Sequence, residues 1–394
     1  MTCAVCILDD IDIKLWGMTA RQRLERQLRS LGVDKFLATP AEPTAAERIL
    51  LIHAAYLFDT RTLTELLART DAVLCAPLDG RIVAAIGPRE RVAAYAAALS
   101  TEGPVPPSAE RVRPGDLERY DDELRQSAPP LFEPITAANR DALESRLYGN
   151  AYKGVTDLVT KWWWPRPARR IVAFCANAGI TPNMVTLTGF VLMLIATALF
   201  WHGHYLSGLL CGWSMTLLDT VDGKLARVTV QSSRFGHVLD HGMDIVHPPF
   251  WYVLWGAGLG VDVVAGYAVA DINQAIVVGY IGGRLLEGLF HAFGHCSLFA
   301  WRPFDAYFRL VTARRNPCLI ILTVATLAGQ PALGFFGVAV WTVFSTAVMV
   351  VRLIQAAGAR LGGPPLESWL KDPSASTRHP TAYRRFAGTA SAYE

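Results

Sequence analysis

A chain of 394 residues is long enough for two domains, and 52% apolar residues with a mean hydropathy of +0.27 is high for a purely soluble protein. The apolar residues are concentrated: residues 1 to about 165 read as soluble sequence, and long apolar runs dominate from Met184 to Ala356. A formal charge of +3 without a dense basic face interleaved with aromatics argues against a nucleic-acid partner, and seven scattered cysteines argue against a disulfide framework.

Taken in order, Cys3 to Leu8 and Lys35 to Thr39 read as short strands, and Thr19 to Leu31 between them carries apolar residues at helical spacing among arginines. Ile49 to His53 reads as a further strand, Thr62 to Ala68 as a helix, and Ala72 to Ala76 with Arg81 to Ile86 as a hairpin across Asp79-Gly80. This alternation predicts a soluble α/β domain over residues 1–99. Met1 to Leu8 lacks a basic stretch and a small-residue cleavage site, so that domain is expected in the cytoplasm. Cys3-Ala-Val-Cys6 has redox or metal spacing, but inside a strand with no second pair nearby it reads as two buried small residues.

The runs Gly17 to Gly32 and His53 to Asp59 resemble sugar-phosphate nucleotidyltransferases. Members of that family hold the triphosphate on a glycine-rich loop after the first strand, where backbone amides cradle phosphate. Here that place reads Asp9-Asp10-Ile-Asp12-Ile-Lys14, which sets anionic side chains against a phosphate, and Ala54 and Ala55 stand where a metal-binding aspartate is expected. The first domain is therefore read as a degenerate, non-catalytic relative, and its three aspartates as a solvated loop.

Residues 100–136, with seven prolines between Ser100 and Pro134, read as a linker. Residues 137–175 read as a helix followed by an interfacial stretch: Lys161-Trp-Trp-Trp-Pro-Arg166-Pro-Ala-Arg169-Arg170 offers rings for the headgroup level and positive charge for anionic lipid. Six apolar segments follow, at about 184–201, 205–225, 235–259, 274–293, 316–329 and 332–352, which predicts an all-α six-helix transmembrane domain over 176–356 and a tail over 357–394. Lys and Arg occur in the joins after the second and fourth segments and are absent after the first, third and fifth. The positive-inside rule then puts both termini in the cytoplasm, as expected of a multi-pass protein of the cytoplasmic membrane.

Within that half, Asp219-Thr-Val-Asp222-Gly223-Lys-Leu-Ala226-Arg227 is followed after eight residues by Gly236-His-Val-Leu-Asp240-His-Gly-Met-Asp244. Four carboxylates near hydrocarbon are costly unless paired, hydrated or holding a cation. Helical spacing makes them two acidic stripes at the cytoplasmic ends of the second and third segments. Oxygen ligands of this density suit two hard cations, Mg²⁺ or Mn²⁺, and a cation cluster beside an arginine suits a pyrophosphate. His237 and His241 have the spacing of a zinc helix but no glutamate between them, and with His247 they read as packing residues. Arg284 and Glu287, three apart, read as an intrahelical pair, and Arg314-Arg315 opens the fifth segment.

The spacing D-x2-D-G-x2-A-R-x8-G-x3-D-x3-D is matched at each fixed position from Asp219 to Asp244, and Pro182-Asn183-Met-Val-Thr186 precedes the first segment as a PNxxT run. In both, the chain resembles the CDP-alcohol phosphotransferases over about residues 150–356. That resemblance implies transfer of a substituted phosphoryl group from a CDP-linked donor to a hydroxyl acceptor, with CMP released. It implies Asp219, Asp222, Asp240 and Asp244 at two divalent cations, with Asp244 also the catalytic base. Asp222, Gly223, Ala226, Arg227, Pro182, Asn183 and Thr186 would form the CDP site. Members that use phosphorylated inositol acceptors carry arginines near Arg314 and Arg315, which gives those two an acceptor-binding reading. A soluble nucleotidyltransferase-like part ahead of this domain resembles archaeal inositol phosphodiester synthases. Membrane lipids are the implied surroundings, and a homodimer is compatible with them. The competing reading is a catalytically silent membrane scaffold or divalent-cation-binding regulator, against which the intact motif speaks.

Overall fold

The computed structural model describes residues 2–77, 79–101, 109–231 and 234–388; at Thr101, 234–241 and 243–245 it describes the helical backbone alone. The chain divides into two units. One comprises Met1–Asp121, Ser127–Leu147 and Val228–Val230, and the other Asp122–Gln126, Tyr148–Arg227 and Gln231–Glu394.

The first unit is built on a mixed sheet of six strands: β1 (Cys3–Leu8), β2 (Lys35–Leu37), β3 (Arg48–His53), β4 (Ala72–Cys75), β5 (Ile82–Pro88) and β6 (Glu110–Val112), in the order β2-β1-β3-β5-β4-β6. β1 runs parallel to β2 and β3, β5 antiparallel to β3 and β4, and β6 parallel to β4. Strand residues alternate between faces, so one strand serves two cores. Val5, Ile7, Leu50 and Ile52 pack with Leu24 and Leu28 of α1 (Ala20–Ser30) and Leu63 and Leu66 of α2 (Thr60–Ala68). Ala4, Cys6, Ile49 and Leu51 pack with Tyr95 and Leu99 of α3 (Val92–Thr101). Each fully buried Leu or Ile contributes roughly 1.5–3 kcal/mol. Thr19 and Gln22 start α1 with a reciprocal capping box, 3.2 and 3.1 Å. Cys3 and Cys6 fall on opposite faces, which prevents them from acting as a pair.

The stretch expected to be a linker contributes strands instead. β6 closes one edge of the sheet, Phe132–Pro134 pairs with Tyr56–Phe58, and Tyr120–Asp121 pairs with Gln126–Ser127. The prolines mask its apolar content: Val112, Leu117, Leu131, Phe132 and Ile135 are buried in the core, and short edge pairings tolerate prolines.

The second unit is helical, and helices lie at all six apolar segments: α6 (Pro182–Trp201), α7 (Tyr205–Val228), α8 (Arg234–Gly258), α9 (Val269–Gly294), α11 (Arg315–Leu327) and α12 (Pro331–Leu361). α5 (Pro165–Ala178) precedes them, and α10 (Pro303–Val311) lies before α11, whereas α4 (Arg140–Asn150) belongs up to Leu147 to the first unit. Among the described residues three helices, α6, α9 and α12, are long and apolar enough to cross a membrane. A fourth span results if α10 and α11, bent by 43°, count as one. α7 and α8 carry the motif's charges, and α11 has 13 residues against the ~20 a bilayer asks for. α9 and α12 approach closely at Gly279, whose carbonyl accepts from Thr346 at 3.0 Å.

Trp162 and Trp163 are each 52% exposed, whereas Trp164 meets Trp213 edge-on at 5.9 Å. Lys161, expected at the surface with them, is buried and donates Nζ to Gly154 O at 2.7 Å, because a one-turn π-helix (Val159–Trp163) turns it inward. The tail also packs, through Leu366, Trp369, Leu370 and Phe386.

Candidate active site

Thr181 caps α6 and Pro182 occupies its first turn, where a missing N–H costs nothing. That start sets Thr186 one turn further in, buried, with its hydroxyl donating to Asp222 Oδ2 at 2.7 Å. The PNxxT run and the aspartate motif, 36 residues apart, thus meet side chain to side chain. Asn183 is exposed in the first turn of α6. Asp222 is buried, and its Oδ1 accepts from the Gly223 N–H at 2.6 Å. Asp219, one turn back on α7, pairs with Arg315 Nη2 at 2.5 Å.

Gly223 and Arg227 are one turn apart, and a Cβ at Gly223 would lie 3.0 Å from Arg227 Nη2, so the glycine leaves the guanidinium its place. Arg227 Nε and Lys224 Nζ both donate to Ala151 O, at 2.9 and 3.0 Å. Lys224 also sits 3.8 Å from the centroid of the Tyr152 ring. Ala226 is half-buried on the same helix.

Asp219, Gly223 and Arg227 border a cavity of about 320 Å³, together with Thr220 and Lys224 of α7, Pro248 of α8, Arg284 and Glu287 of α9, and Arg314, Arg315 and Asn316; Pro182, Asn183, Thr186, Asp222 and Ala226 are not among its lining residues. Arg125, Lys153, Asp157, Thr160 and Arg309 complete its polar wall. Among the described lining residues eight are Lys or Arg and three are Asp or Glu, a surplus of positive charge. Burial, reinforced by Arg125, Arg227 and Arg309, holds the Lys153 ammonium below the usual lysine range. Asp157 takes N–H bonds from Val159 and Thr160, each 3.1 Å, and a bond from Asn316 Nδ2 at 3.0 Å, which fixes the start of α11.

Glu287 pairs with Arg314, and its distance to Arg284 is 3.9 Å. The intrahelical pair expected from the sequence is thus the longer contact, and Arg284 Nη2 donates to Tyr280 Oη at 3.2 Å. His247 is buried against Trp251 at 4.9 Å, a packing role. The side chains of Gly236, His237, Asp240, His241 and Asp244 lie outside the described residues. Among the described residues no group of three or more His, Cys, Asp or Glu is placed to hold a metal ion. Asp219 and Asp222 are two oxygen donors of the type that hard cations take.

The sequence reading missed Arg125, Lys153, Lys224, Arg309 and Asn316 as cavity residues. Each lies outside the fixed positions of the motif, and no spacing rule singles it out.

Residues 179–281 match the CDP-alcohol phosphatidyltransferase family. The chain is 28% identical over 182 residues to the archaetidylinositol phosphate synthase of Pyrococcus horikoshii, which covers 45% of this chain and 87% of that protein. It is 32% identical over 115 residues to the phosphatidylinositol phosphate synthase of Mycobacteroides abscessus, 27% of this chain and 51% of that one. With cholinephosphotransferase 1 of Danio rerio it shares 30% identity over 161 residues, 38% and 39% of the two chains. The match therefore spans about half the length or less of the second and third of these.

Proposed function

We propose that the chain, whose residues 179–281 constitute a CDP-alcohol phosphatidyltransferase domain, is an integral-membrane CDP-alcohol phosphotransferase. It joins a substituted phosphoryl group from a CDP-linked donor to a hydroxyl acceptor and releases CMP. The observation that carries this reading is the Thr186–Asp222 hydrogen bond of 2.7 Å, which ties two sequence motifs together beside a cavity rich in cations.

In the reaction the acceptor oxygen forms a bond to the donor phosphorus that bears the alcohol. The bond from that phosphorus to the CMP oxygen breaks, and the acceptor proton passes to a base. Asp219, Asp222, Asp240 and Asp244 would hold two divalent cations, Mg²⁺ or Mn²⁺, whose charge offsets that of the pyrophosphate. Asp244 takes the proton. Gly223, Ala226, Arg227, Pro182, Asn183 and Thr186 form the CDP site, small residues admitting the nucleotide and Arg227 offering charge-assisted bonds to phosphate. Arg314 and Arg315 face the acceptor. Two of the relatives are named as synthases of archaetidylinositol phosphate and phosphatidylinositol phosphate, which together with the basic cavity supports a CDP-linked lipid as donor and a phosphorylated polyol as acceptor.

The six apolar helices are six spans, with the site and both termini on the cytoplasmic side. The N-terminal unit is a nucleotidyltransferase-like fold without that chemistry. Purified full-length protein in lipid nanodiscs with Mg²⁺ or Mn²⁺ should release CMP from at least one of a panel of CDP-alcohols, and Asp240→Asn should abolish the release. Equal CMP from wild type and variant, or none from any donor, overturns the reading.

A further inference from the structure

Three separated pieces of chain meet at Gly154. Its N–H donates to Leu124 O at 2.8 Å, and its carbonyl accepts Lys161 Nζ at 2.7 Å. A Cβ placed there would come 2.1 Å from Phe386 O and 2.5 Å from Arg125 O, so only glycine lets the three backbones approach. Gln126 is buried and donates Nε2 to Asn150 O at 3.0 Å, and its Oε1 would lie 2.3 Å from a Cβ on Gly388. Phe386 is fully buried, edge-on to Tyr307 at 5.0 Å, with Lys161 Nζ 5.3 Å from its ring centroid. The segment Leu124–Gln126 is thereby clasped between Asn150–Gly154 and the C-terminal helix Pro380–Phe386. Within the clasp Arg125 takes a positive φ of 49°, a conformation that arginine adopts only where its surroundings impose it.

Two basic side chains of this clasp, Arg125 and Lys153, line the cavity, and both lie outside residues 179–281. Arg227 and Arg309 line it with them. Four cations gathered in one wall repel each other, and an anion among them relieves that repulsion. We propose that Arg125 and Lys153, held by the clasp, form a phosphate subsite that selects the phosphorylated substrate this chain accepts. The inference rests on the preceding reading of the cavity as the substrate site. The phosphate belongs either to the acceptor, as a monoester, or to the donor, as its pyrophosphate.

Calorimetry on the full-length protein in nanodiscs, titrated separately with inorganic phosphate and with CDP, tests this. Arg125→Gln and Lys153→Met should each weaken at least one probe by about tenfold or more, the loss expected of a charge-assisted bond. Arg125→Lys should recover most of the affinity. Phe386→Ala, which touches the clasp and not the cavity, should weaken the same probe. A loss confined to phosphate assigns the subsite to the acceptor, and a loss confined to CDP assigns it to the donor. Wild-type binding of both probes by Arg125→Gln and Lys153→Met overturns the proposal. So does an affinity that merely follows the thermal stability of the variants. Binding is read without turnover, so this failure is distinct from a failure to release CMP.

Discussion

The two units use charge differently. In the sheet unit carboxylates are answered close by: half-buried Asp59 closes on Arg61 at 2.9 Å, half-buried Asp71 takes Arg91 and Tyr95, and exposed Asp9 meets His53 at 2.6 Å. Asp9, where a phosphate-binding loop would lie, has a φ of 58° and turns its carboxylate to that histidine. Among its described residues the helical unit gathers eight basic side chains against three acidic ones around one cavity. Balanced charge serves a fold, whereas an unbalanced cluster in a cavity suits a ligand of the opposite sign.

The largest test of that contrast exchanges one aspartate in each unit. Asp222→Asn keeps the shape and removes the charge, and should lower CMP release roughly 10²–10³-fold, the cost of losing one preorganised electrostatic group. Asp9→Asn should leave CMP release within about twofold, the range of a substitution remote from the chemistry. An equal loss from both would break the division of labour between the units.

A second test is pH. Burial pushes the Lys161 ammonium down to about 8, so the folded helical unit sheds that proton before the unfolded chain does. The sign follows from linkage: below pH 8 both states are protonated and the folded state carries the cost. Between about pH 8 and the ordinary lysine value near 10.5 the unfolded chain alone keeps the proton, and stability rises with pH by up to about 3 kcal/mol. Thermal unfolding followed from pH 7 to 10.5 should show this rise in wild type and lose it in Lys161→Met. In the sheet unit the Tyr95 phenol is pushed up to about 12 by burial and by Asp71, so there the stability falls as pH climbs past 10.

Much of this is legible in the sequence. The continuous apolar runs of β1 and β3 fit a sheet covered on both faces, and Cys3 and Cys6, read as packing for want of a second pair nearby, fall on opposite faces of β1. Residues Asp219 to Arg227 were legible because a helix converts fixed spacing into a fixed stripe. What spacing could not carry was the meeting of distant chain. Val112, Leu117 and Ile135 are scattered among prolines and gain an apolar period only once they dock on the sheet. Arg125 and Lys153 reach the cavity through Gly154, and Glu287 prefers Arg314, 27 residues away, to Arg284 on its own helix. A local pattern ranks a contact by separation in sequence, whereas the fold ranks it by geometry.

The smallest and sharpest comparison sets two buried threonines side by side. Thr62 in the sheet unit is fully buried, and its hydroxyl has no hydrogen-bond partner among the described residues. Thr62→Val removes an oxygen that already bears its desolvation cost, so stability should stay level or rise by about 1 kcal/mol. Thr186 is as closely packed, but its hydroxyl donates to the Asp222 carboxylate at 2.7 Å. Thr186→Val keeps the volume and leaves that carboxylate one donor short, a cost of about 1.5 kcal/mol or a tenfold fall in the rate of CMP release, which Thr186→Ser should largely restore. Thermal unfolding reads the first exchange and CMP release the second. If Thr186→Val turned over at the wild-type rate, the bond joining the two motifs would be a packing contact, and the first turns of α6 would have no part in the chemistry.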